Sequence, residues 1–293
     1  MKVLPIIDLK KDYQEFYFCS DVHFGSPNSD VAHFKRELKE ARERNARIII
    51  IGDLFDAIYP LGDPRYNPSN LIKELQGKDD APLQAAYMMR DILEPYQDLI
   101  DMIGLGNHEV TLLKHTGNHL IKILLMMLNS ERKHKIMYGG YTGYLGYRFI
   151  TNKTAKRILK ILYHHGAGGG APVTKGLIDV NRKQTNWAYD IFVFGHKHHS
   201  WGIRDTFISP VWGKDGEEGY LLATSTRAVQ TGNFFKPYIN HNDGIPSYEE
   251  VHSHAPKPIG GVFVKVALKR KRVWDNTIKK NTNNVYFDIR VEV

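Results

Sequence analysis

The sequence predicts an α/β protein in which the central strands are buried on both faces. Five short apolar runs rich in Ile, Val and Phe occur in the first two-thirds of the chain, at residues 15–19, 47–51, 99–105, 157–163 and 189–194. Continuous runs of this length are typical of strands that are covered on both faces. Helical patterns lie between them, and such alternation indicates a layered α/β core.

Three of the intervening segments have the apolar periodicity of helices, namely residues 30–45, 82–96 and 118–128. In the first segment, Phe34, Leu38 and Ala41 fall on one face, and Asp30 is suited to cap the helix N-terminus. The second segment begins with a proline, which the first turn of a helix tolerates. The segment 57–80 is rich in Pro, Gly and Asn, and we interpret it as a loop insertion.

Composition indicates an ordinary soluble protein, and the N-terminal sequence predicts a cytoplasmic location. No stretch reaches the ~18–20 uninterrupted apolar residues of a membrane span, and Pro5 and Asp8 interrupt what would be the apolar core of a signal peptide. The single cysteine, Cys19, lies in an apolar run, so we expect a buried thiol. The net charge of +8 favours a polyanionic substrate, or it only aids solubility.

A polar cluster follows each of the five apolar runs. The candidate residues are, in chain order, Asp21 and His23, Asp53 and Asp56, Asn107 and His108, His164 and His165, and His196 and His198. Taken singly, most of these clusters have an ordinary interpretation as a surface loop or a helix cap. Ligands of α/β sheets bind beyond the carboxyl ends of the strands. Five such clusters in order therefore predict a two-metal site.

The clusters read DVH, GDLFD, GNHE, HHG and GHKH. They resemble the calcineurin-like metallophosphoesterase superfamily, whose pattern is DxH, GDxxD, GNH(D/E), a lone H and GHxH. The resemblance spans residues 21–198. Residues 231–236 and 258–261 look like the C-terminal ends of phage and prophage members. The resemblance implies a four-layer α/β/β/α sandwich with two mixed sheets. After His199 the pattern changes to short strands separated by Gly, Asn and Pro turns. We therefore expect a catalytic domain at 1–230 and a C-terminal β-rich extension at 231–293 packed on the same domain.

The resemblance also implies a role for each metal-binding residue. The first ion would be bound by Asp21, His23, Asp53 and His198. The second would be bound by Asp53, which bridges the ions, and by Asn107, His196 and one histidine of the pair at 164 and 165. We favour His164 slightly, and His165 stays open. Alternate residues of a strand point to opposite sides, so both histidines should not bind the same ion.

The family chemistry is hydrolysis of phosphate esters by a hydroxide that bridges two divalent ions. Imidazole, carboxylate and amide ligands suit Mn²⁺, Fe or Zn²⁺ better than Mg²⁺, and we favour Mn²⁺. By resemblance, Asn107 and His108 bind the substrate. His108 stabilises the phosphoryl oxygens and can protonate the leaving oxygen, while Asp56 orients His108.

Three features bear on the substrate: the net charge, the basic run KRKR at 269–272 before Trp274, and the glycine-rich turn at 166–170. They favour a phosphodiesterase or nuclease that acts on nucleic acid or nucleotides. The basic run is equally typical of an exposed sheet edge. A phosphomonoesterase acting on a small metabolite or a phosphoprotein, and a catalytically degenerate interaction module, remain as alternatives. No oligomeric partner is assigned.

Overall fold

Two β-sheets packed face to face form the centre of the computed structural model. The structure describes residues 1–59, 66–67, 70–130, 135–151, 156–168, 174–184, 186–211, 220–236, 238, 250, 253, 255–275 and 280–293. The strands are β1 Lys2–Val3, β2 Ile7–Leu9, β3 Tyr13–Cys19, β4 Arg47–Ile50, β5 Ile100–Gly104, β6 Met137–Gly140, β7 Thr142–Ile150, β8 Lys156–His164, β9 Ile191–Phe194, β10 Trp201–Val211, β11 Tyr220–Gln230, β12 Val262–Asp275 and β13 Lys280–Glu292.

The helices are α1 Val31–Glu43, α2 Ala81–Leu93, α3 Asn107–Thr116, α4 Leu120–Asn129 and α5 Leu177–Gln184, and a short 3₁₀ helix, Glu94–Tyr96, follows α2. The helix predicted at 30–45 is confirmed as α1. The Asp30 side chain accepts a hydrogen bond from the His33 N–H at 3.1 Å. Phe34, Leu38 and Ala41 are buried on the inner face of the helix. None of the helices in the described ranges is long and apolar enough to cross a bilayer.

Both sheets are mixed. The first has the order β1-β7-β8-β9-β11-β10, with β2 also paired to β7, and the second has the order β13-β12-β3-β4-β5-β6. Strands β3 to β6 run parallel to one another, as do β8, β9 and β11. The five predicted runs coincide with β3, β4, β5, β8 and β9. The carboxyl ends of parallel strands share one edge of a sheet.

Three apolar layers separate the helices and sheets. Phe16 and Phe18 of the second sheet pack against Tyr147 and Val193 of the first sheet. On the other face of the second sheet, residues such as Tyr17 meet α1, α2 and α4. Helix α5 covers the first sheet at a smaller cluster of buried side chains, Leu162, Val180, Tyr189, Phe192, Phe194 and Ala228. The predicted four-layer α/β/β/α sandwich is confirmed. Cys19 is buried, as expected.

The C-terminal strands belong to the second sheet. Strand β12 pairs with β3 in antiparallel register, from Val262 opposite Phe18 to Ala267 opposite Tyr13. Strand β12 then continues past the amino end of β3, where Lys269 and Arg270 are exposed. Lys269 lies seven residues beyond Val262, a distance of about 23 Å along a strand. The basic run therefore begins at the end of the sheet opposite the carboxyl end of β3. The domain division at residue 230 stays a prediction.

We predict that Asp101→Asn lowers the free energy of unfolding by roughly 3 kcal/mol, because it breaks a buried ion pair that also joins the two sheets. Asp101, on β5, accepts hydrogen bonds from Arg47 Nε at 2.8 Å and from the Tyr147 hydroxyl at 2.5 Å. Denaturant titration measures the loss. The control Asp98→Asn removes the carboxylate of an exposed pair with Arg42 and should cost under about 1 kcal/mol. Equal losses would contradict the prediction.

Candidate metal centre

The predicted polar residues gather where the carboxyl ends of strands from both sheets meet. Asp21 and Asp53 follow β3 and β4, and Asn107 is the first residue of α3, just after β5. His165 follows β8, and both histidines of the GHKH segment follow β9. Because each sheet supplies parallel strands, their carboxyl ends bring these residues into one cluster. Three overlapping groups of side chains each have ligand atoms within 4.8 Å of one another: Asp21, His23 and His198; Asp21, Asp53, His165 and His196; and His23, Asp56 and His108.

Five residues of the cluster have left-handed backbone conformations. Their φ angles are 56° at Asp21, 51° at His23, 47° at Asp53, 68° at His196 and 57° at His198. Such a conformation costs a non-glycine residue about 1–2 kcal/mol. It persists where the surrounding structure enforces it, and it concentrates at functional sites. The backbone is therefore strained in the turns after β3, β4 and β9, and this conformation directs the side chains of these turns into one cluster.

The first ligand group comprises Asp21, His23 and His198. Asp21 Oδ1 lies 3.3 Å from His198 Nε2 and 3.9 Å from His23 Nε2. The two imidazole Nε2 atoms are 3.4 Å apart. Asp21 Oδ1 is buried and accepts no hydrogen bond from the described residues. Two imidazole nitrogens that face one carboxylate oxygen form a set of lone pairs that a divalent cation satisfies.

The second ligand group comprises Asp53, His165, His196 and again Asp21. His165 Nε2 lies 3.1 Å from Asp53 Oδ2 and 3.0 Å from the amide oxygen of Asn107. His196 Nε2 contacts the Gly168 carbonyl at 3.1 Å. If that nitrogen donates, Nδ1 of His196 remains as the ligand atom. This set of imidazole, carboxylate and amide donors fits a second divalent ion.

The two groups share Asp21, whereas the resemblance implies Asp53 as the bridge. Asp53 Oδ1 accepts a hydrogen bond from the His108 N–H at 2.9 Å, and Oδ2 faces His165. Asp53 is therefore engaged on the side of the second group. Asp21 offers Oδ1 to the first group and also lies within reach of the second. A bridging role for Asp53 stays a prediction.

The structure places His165, and not the favoured His164, inside the cluster. His165 is fully buried there, and its Nδ1 makes no hydrogen bond with any described residue. His164 Nδ1 instead accepts a hydrogen bond from the Gly166 N–H at 2.8 Å, and its ring packs edge-on against Tyr141. Successive side chains of an extended strand point to opposite sides. The preference for His164 does not agree with this geometry.

Asp56 supports two histidines by different atoms. Its carboxylate Oδ1 lies 3.2 Å from His23 Nδ1 and 3.6 Å from His108 Nδ1. His108 Nδ1 is closer to the Asp56 main-chain carbonyl, at 2.5 Å. The rings of His23 and His108 pack edge to face, with their centroids 4.7 Å apart. Asp56 therefore orients His108 chiefly through its backbone, while its carboxylate orients His23.

The electrostatics of the cluster favour cations. Burial opposes protonation of His23, but the hydrogen bond to Asp56 and the charges of Asp53 and Asp56 raise the pKa of His23 to about 9. Burial also opposes protonation of His165, but Asp53 raises the pKa of His165 to about 9. Burial likewise opposes ionisation of Asp21, yet its contact with His198 holds the pKa of Asp21 well below its usual range. The carboxylate of Asp21 stays ionised, so metal binding would displace protons from His23 and His165, whose pKa values are raised.

The sequence did not indicate that Glu109 organises the site. Its buried carboxylate accepts hydrogen bonds from the N–H groups of Gly106 at 2.8 Å, Phe55 at 2.9 Å and Asp53 at 3.2 Å. Burial and the charge of Asp53 raise the pKa of Glu109 to about 7. Glu109 ties the loops after β4 and β5 together. A glutamate three residues after a helix N-cap is a known capping pattern, and that spacing was the available signal.

No family model matches the sequence, and no curated protein matches it. Among solved structures, the chain is similar to the calcineurin-like phosphoesterase YfkN from Bacillus subtilis, with 11% identity, a TM-score of 0.38, and coverage of 96% of this chain and 90% of that chain. It is also similar to GAP50, the anchor in the inner membrane complex of Plasmodium, with 10% identity, a TM-score of 0.37, and coverage of 94% and 89%.

A metallophosphoesterase from Sphaerobacter thermophilus is similar at 13% identity, with a TM-score of 0.31 and coverage of 94% of this chain and 87% of that chain. These similarities extend over nearly the whole chain. At identities of 10–13% and TM-scores of 0.31–0.38, they do not decide what the protein does. Function is therefore inferred from the side chains of the site.

We predict that Gly106→Ala weakens Mn²⁺ binding at least tenfold, because a Cβ there would lie 2.0 Å from Asp53 Oδ1 and displace that carboxylate. Isothermal titration calorimetry measures the affinity. The control Gly77→Ala places its Cβ where no atom lies within 4 Å, at a φ of +66°. The control should cost about 1 kcal/mol of stability and leave Mn²⁺ binding intact. Wild-type affinity in Gly106→Ala would show that Asp53 can move aside.

We predict that Asp56→Asn lowers the pKa of His23 below about 9 in the metal-free protein, because the carboxylate that stabilises the imidazolium is lost. NMR titration of the histidine ring nitrogens measures this change. Asp98→Asn, which changes an exposed carboxylate that pairs with Arg42, should leave the His23 titration unchanged. A His23 pKa unaffected by Asp56→Asn would refute the assigned contact.

Proposed function

We propose that the protein is a two-metal phosphoesterase of the calcineurin-like metallophosphoesterase superfamily. One observation carries this proposal: two groups of His and Asp ligands share Asp21, and His108 stands beside them with its ring half-buried. Two ligand groups that share one carboxylate suit a dinuclear centre, in which two ions lie about 3.5–4 Å apart. We retain Mn²⁺ as the favoured metal, with Fe or Zn²⁺ as alternatives, because the donors mix nitrogen and oxygen.

The bound ions would supply Lewis acidity and an activated water for attack on phosphorus. The chain's own contribution centres on His108. Its Nδ1 lies against the Asp56 carbonyl, so that Nε2 is the ring nitrogen left to meet a substrate oxygen. A protonated Nε2 can donate a hydrogen bond to a phosphoryl oxygen and pass its proton to the leaving oxygen. Asn107 would complete the substrate contacts from the first residue of the same helix.

We further propose a phosphodiester substrate, in nucleic acid or in nucleotides. Burial lowers the pKa of His199, the residue after His198, and the positive charges of Lys257 and Lys175 lower it further. Together with the net charge of +8, they favour a polyanion. Lys269 and Arg270 lie at the far end of the second sheet, so their role would be long-range attraction and not contact at the scissile bond. The side chains of 271–272 and of Trp274 lie outside the described part.

The two described tyrosines of the inserted loop, residues 57–80, belong to the hydrophobic core or pack against it. Tyr59 is buried, and Tyr66 packs against the core between the second sheet and the helices. Arg65 lies outside the described residues, as do residues 169–170 of the glycine-rich turn. The Gly168 carbonyl within that turn accepts a hydrogen bond from the buried Lys197 Nζ at 2.6 Å. These contacts support a packing role for Tyr59 and Tyr66. They support a structural role for Lys197, through its hydrogen bond to the glycine-rich turn.

A substrate panel tests the proposed function. Wild-type protein with Mn²⁺ would be assayed on p-nitrophenyl phosphate, bis-p-nitrophenyl phosphate and single-stranded DNA. Cleavage of the diester or of DNA is the expected result. Cleavage of the monoester alone would replace the proposal with a phosphomonoesterase acting on a metabolite or phosphoprotein. Inactivity on all three substrates, without bound metal, would replace it with an interaction module.

We predict that His108→Asn lowers turnover of the hydrolysed substrate about 10²–10⁴-fold while the Mn²⁺ content stays unchanged, because a proton donor is lost but no metal ligand is. Steady-state kinetics and metal analysis measure the two quantities. The control is His115→Asn, an exposed histidine in the last turn of the same helix, which should retain turnover. Unchanged turnover in His108→Asn would exclude His108 from catalysis.

A further inference from the structure

We propose that Ser20 and Thr231 form a chain of hydroxyl groups that positions the Asp21 carboxylate for metal binding. This inference rests on the proposed two-metal function. Ser20 precedes Asp21 in the chain, and Thr231 directly follows β11, 211 positions away from Ser20 in sequence. All three residues are fully buried. The two hydroxyl residues act through Asp21 and do not themselves reach the ligand groups, so they are positioning residues.

The contacts form a continuous path. Ser20 Oγ makes a short hydrogen bond to Asp21 Oδ2. The same Oγ lies 2.6 Å from Thr231 Oγ1. Thr231 Oγ1 also lies 3.3 Å from the carbonyl oxygen of Phe194, the last residue of β9.

The charge of Asp21 determines the direction of these hydrogen bonds. An ionised carboxylate only accepts, so Ser20 must donate its single hydroxyl proton to Asp21. Ser20 then has only its lone pairs left, so the proton between the two hydroxyls must come from Thr231. The Phe194 carbonyl, 3.3 Å from Thr231 Oγ1, competes for the same proton. The contact between the two hydroxyl oxygens is shorter, at 2.6 Å, and these oxygens would repel each other without a proton between them. The proton order is therefore Thr231 to Ser20 to Asp21.

This chain decides which oxygen of Asp21 faces the ligand groups. Oδ2 is engaged by the Ser20 hydroxyl and by the His196 N–H at 2.8 Å. Oδ1 is left facing His23 and His198. With both donors on one oxygen, rotation of the carboxylate away from them would break one buried and one partly buried hydrogen bond. Asp21 is therefore held ready for a cation, and such support of a ligand typically changes metal affinity 10–100-fold.

The segment that carries Thr231 contacts the site at two further points. The Phe234 N–H donates to the Asp21 main-chain carbonyl at 3.0 Å. The Phe235 ring packs edge to face against His23, with a centroid distance of 5.6 Å. Residues after β11 thus contact both the backbone and the side chains of the first ligand group. The hydroxyl chain links this C-terminal segment to metal binding.

The experiment measures Mn²⁺ affinity by calorimetry in Ser20→Ala, Thr231→Val and the double variant. We expect Ser20→Ala to weaken binding 10–100-fold. Thr231→Val should weaken binding by a smaller factor, because Ser20 keeps its bond to Asp21. The double variant should bind no more weakly than Ser20→Ala, since Thr231 acts through Ser20. Thr231→Ser, which restores the hydroxyl, should recover affinity near that of the wild type.

Thr226→Val is the matched control. Thr226 lies on β11, is buried, and its hydroxyl makes no hydrogen bond with any described residue. The same isosteric change at Thr226 should leave Mn²⁺ affinity at the wild-type value. Thermal unfolding of each variant in EDTA monitors stability without metal. A metal-free Tm that falls in the hydroxyl variants without any loss of affinity would show a purely structural role and overturn the proposal.

The outcomes separate this inference from the proposed function. If Ser20→Ala binds Mn²⁺ as tightly as the wild-type protein does, the role of the hydroxyl chain is overturned and the proposed function is not. Wild-type protein that binds Mn²⁺ but hydrolyses no phosphate ester would overturn the proposed function and leave the affinity comparison as a valid test. Wild-type protein that binds no divalent metal would overturn both. If the loss of Mn²⁺ binding free energy in the double variant equals the sum of the losses in the two single variants, the order Thr231 to Ser20 to Asp21 is refuted.

Discussion

The burial of two carboxylates next to each other constrains the rest of this structure. Asp21 and Asp53 are almost fully buried, and their ligand atoms lie within 4.8 Å of each other in one group. Two adjacent buried negative charges are unfavourable unless cations or strong donors compensate for them. The imidazoles of His165 and His198 and the main-chain N–H groups of His108 and His196 face these carboxylates and supply such compensation. Divalent metal ions would compensate for the two charges most completely.

Both sheets contribute residues to this site. The second sheet brings Asp21, Asp53 and Asn107 to its carboxyl edge, and the first sheet brings the histidines that follow β8 and β9. A shift of one sheet relative to the other would separate the carboxylates from their imidazoles. The apolar layer between the sheets and the contact of Asp101 with Tyr147 oppose such a shift. Core packing and metal-site geometry are therefore coupled.

Support for the ligands comes from residues distant in sequence. The Glu109 carboxylate accepts hydrogen bonds from three main-chain N–H groups in two loops. The Asp56 carboxylate contacts His23, and the Asp56 main-chain carbonyl contacts His108. The segment after β11 adds contacts to Asp21 and His23. Such surrounding contacts orient ligands and tune a metal site. They extend the functional unit beyond residues 21–198, the part of the chain that carries the family-like pattern.

The sequence by itself determined which strands end in polar clusters, because buried apolar runs and the residues after them are local features. It also determined α1, whose cap and apolar face lie within sixteen residues. Only the tertiary structure decided that His165 enters the cluster and that Asp21 belongs to both ligand groups. It alone decided that Thr231 reaches Ser20. Side-chain direction after a strand and contacts between distant segments depend on register and packing, which local patterns do not encode.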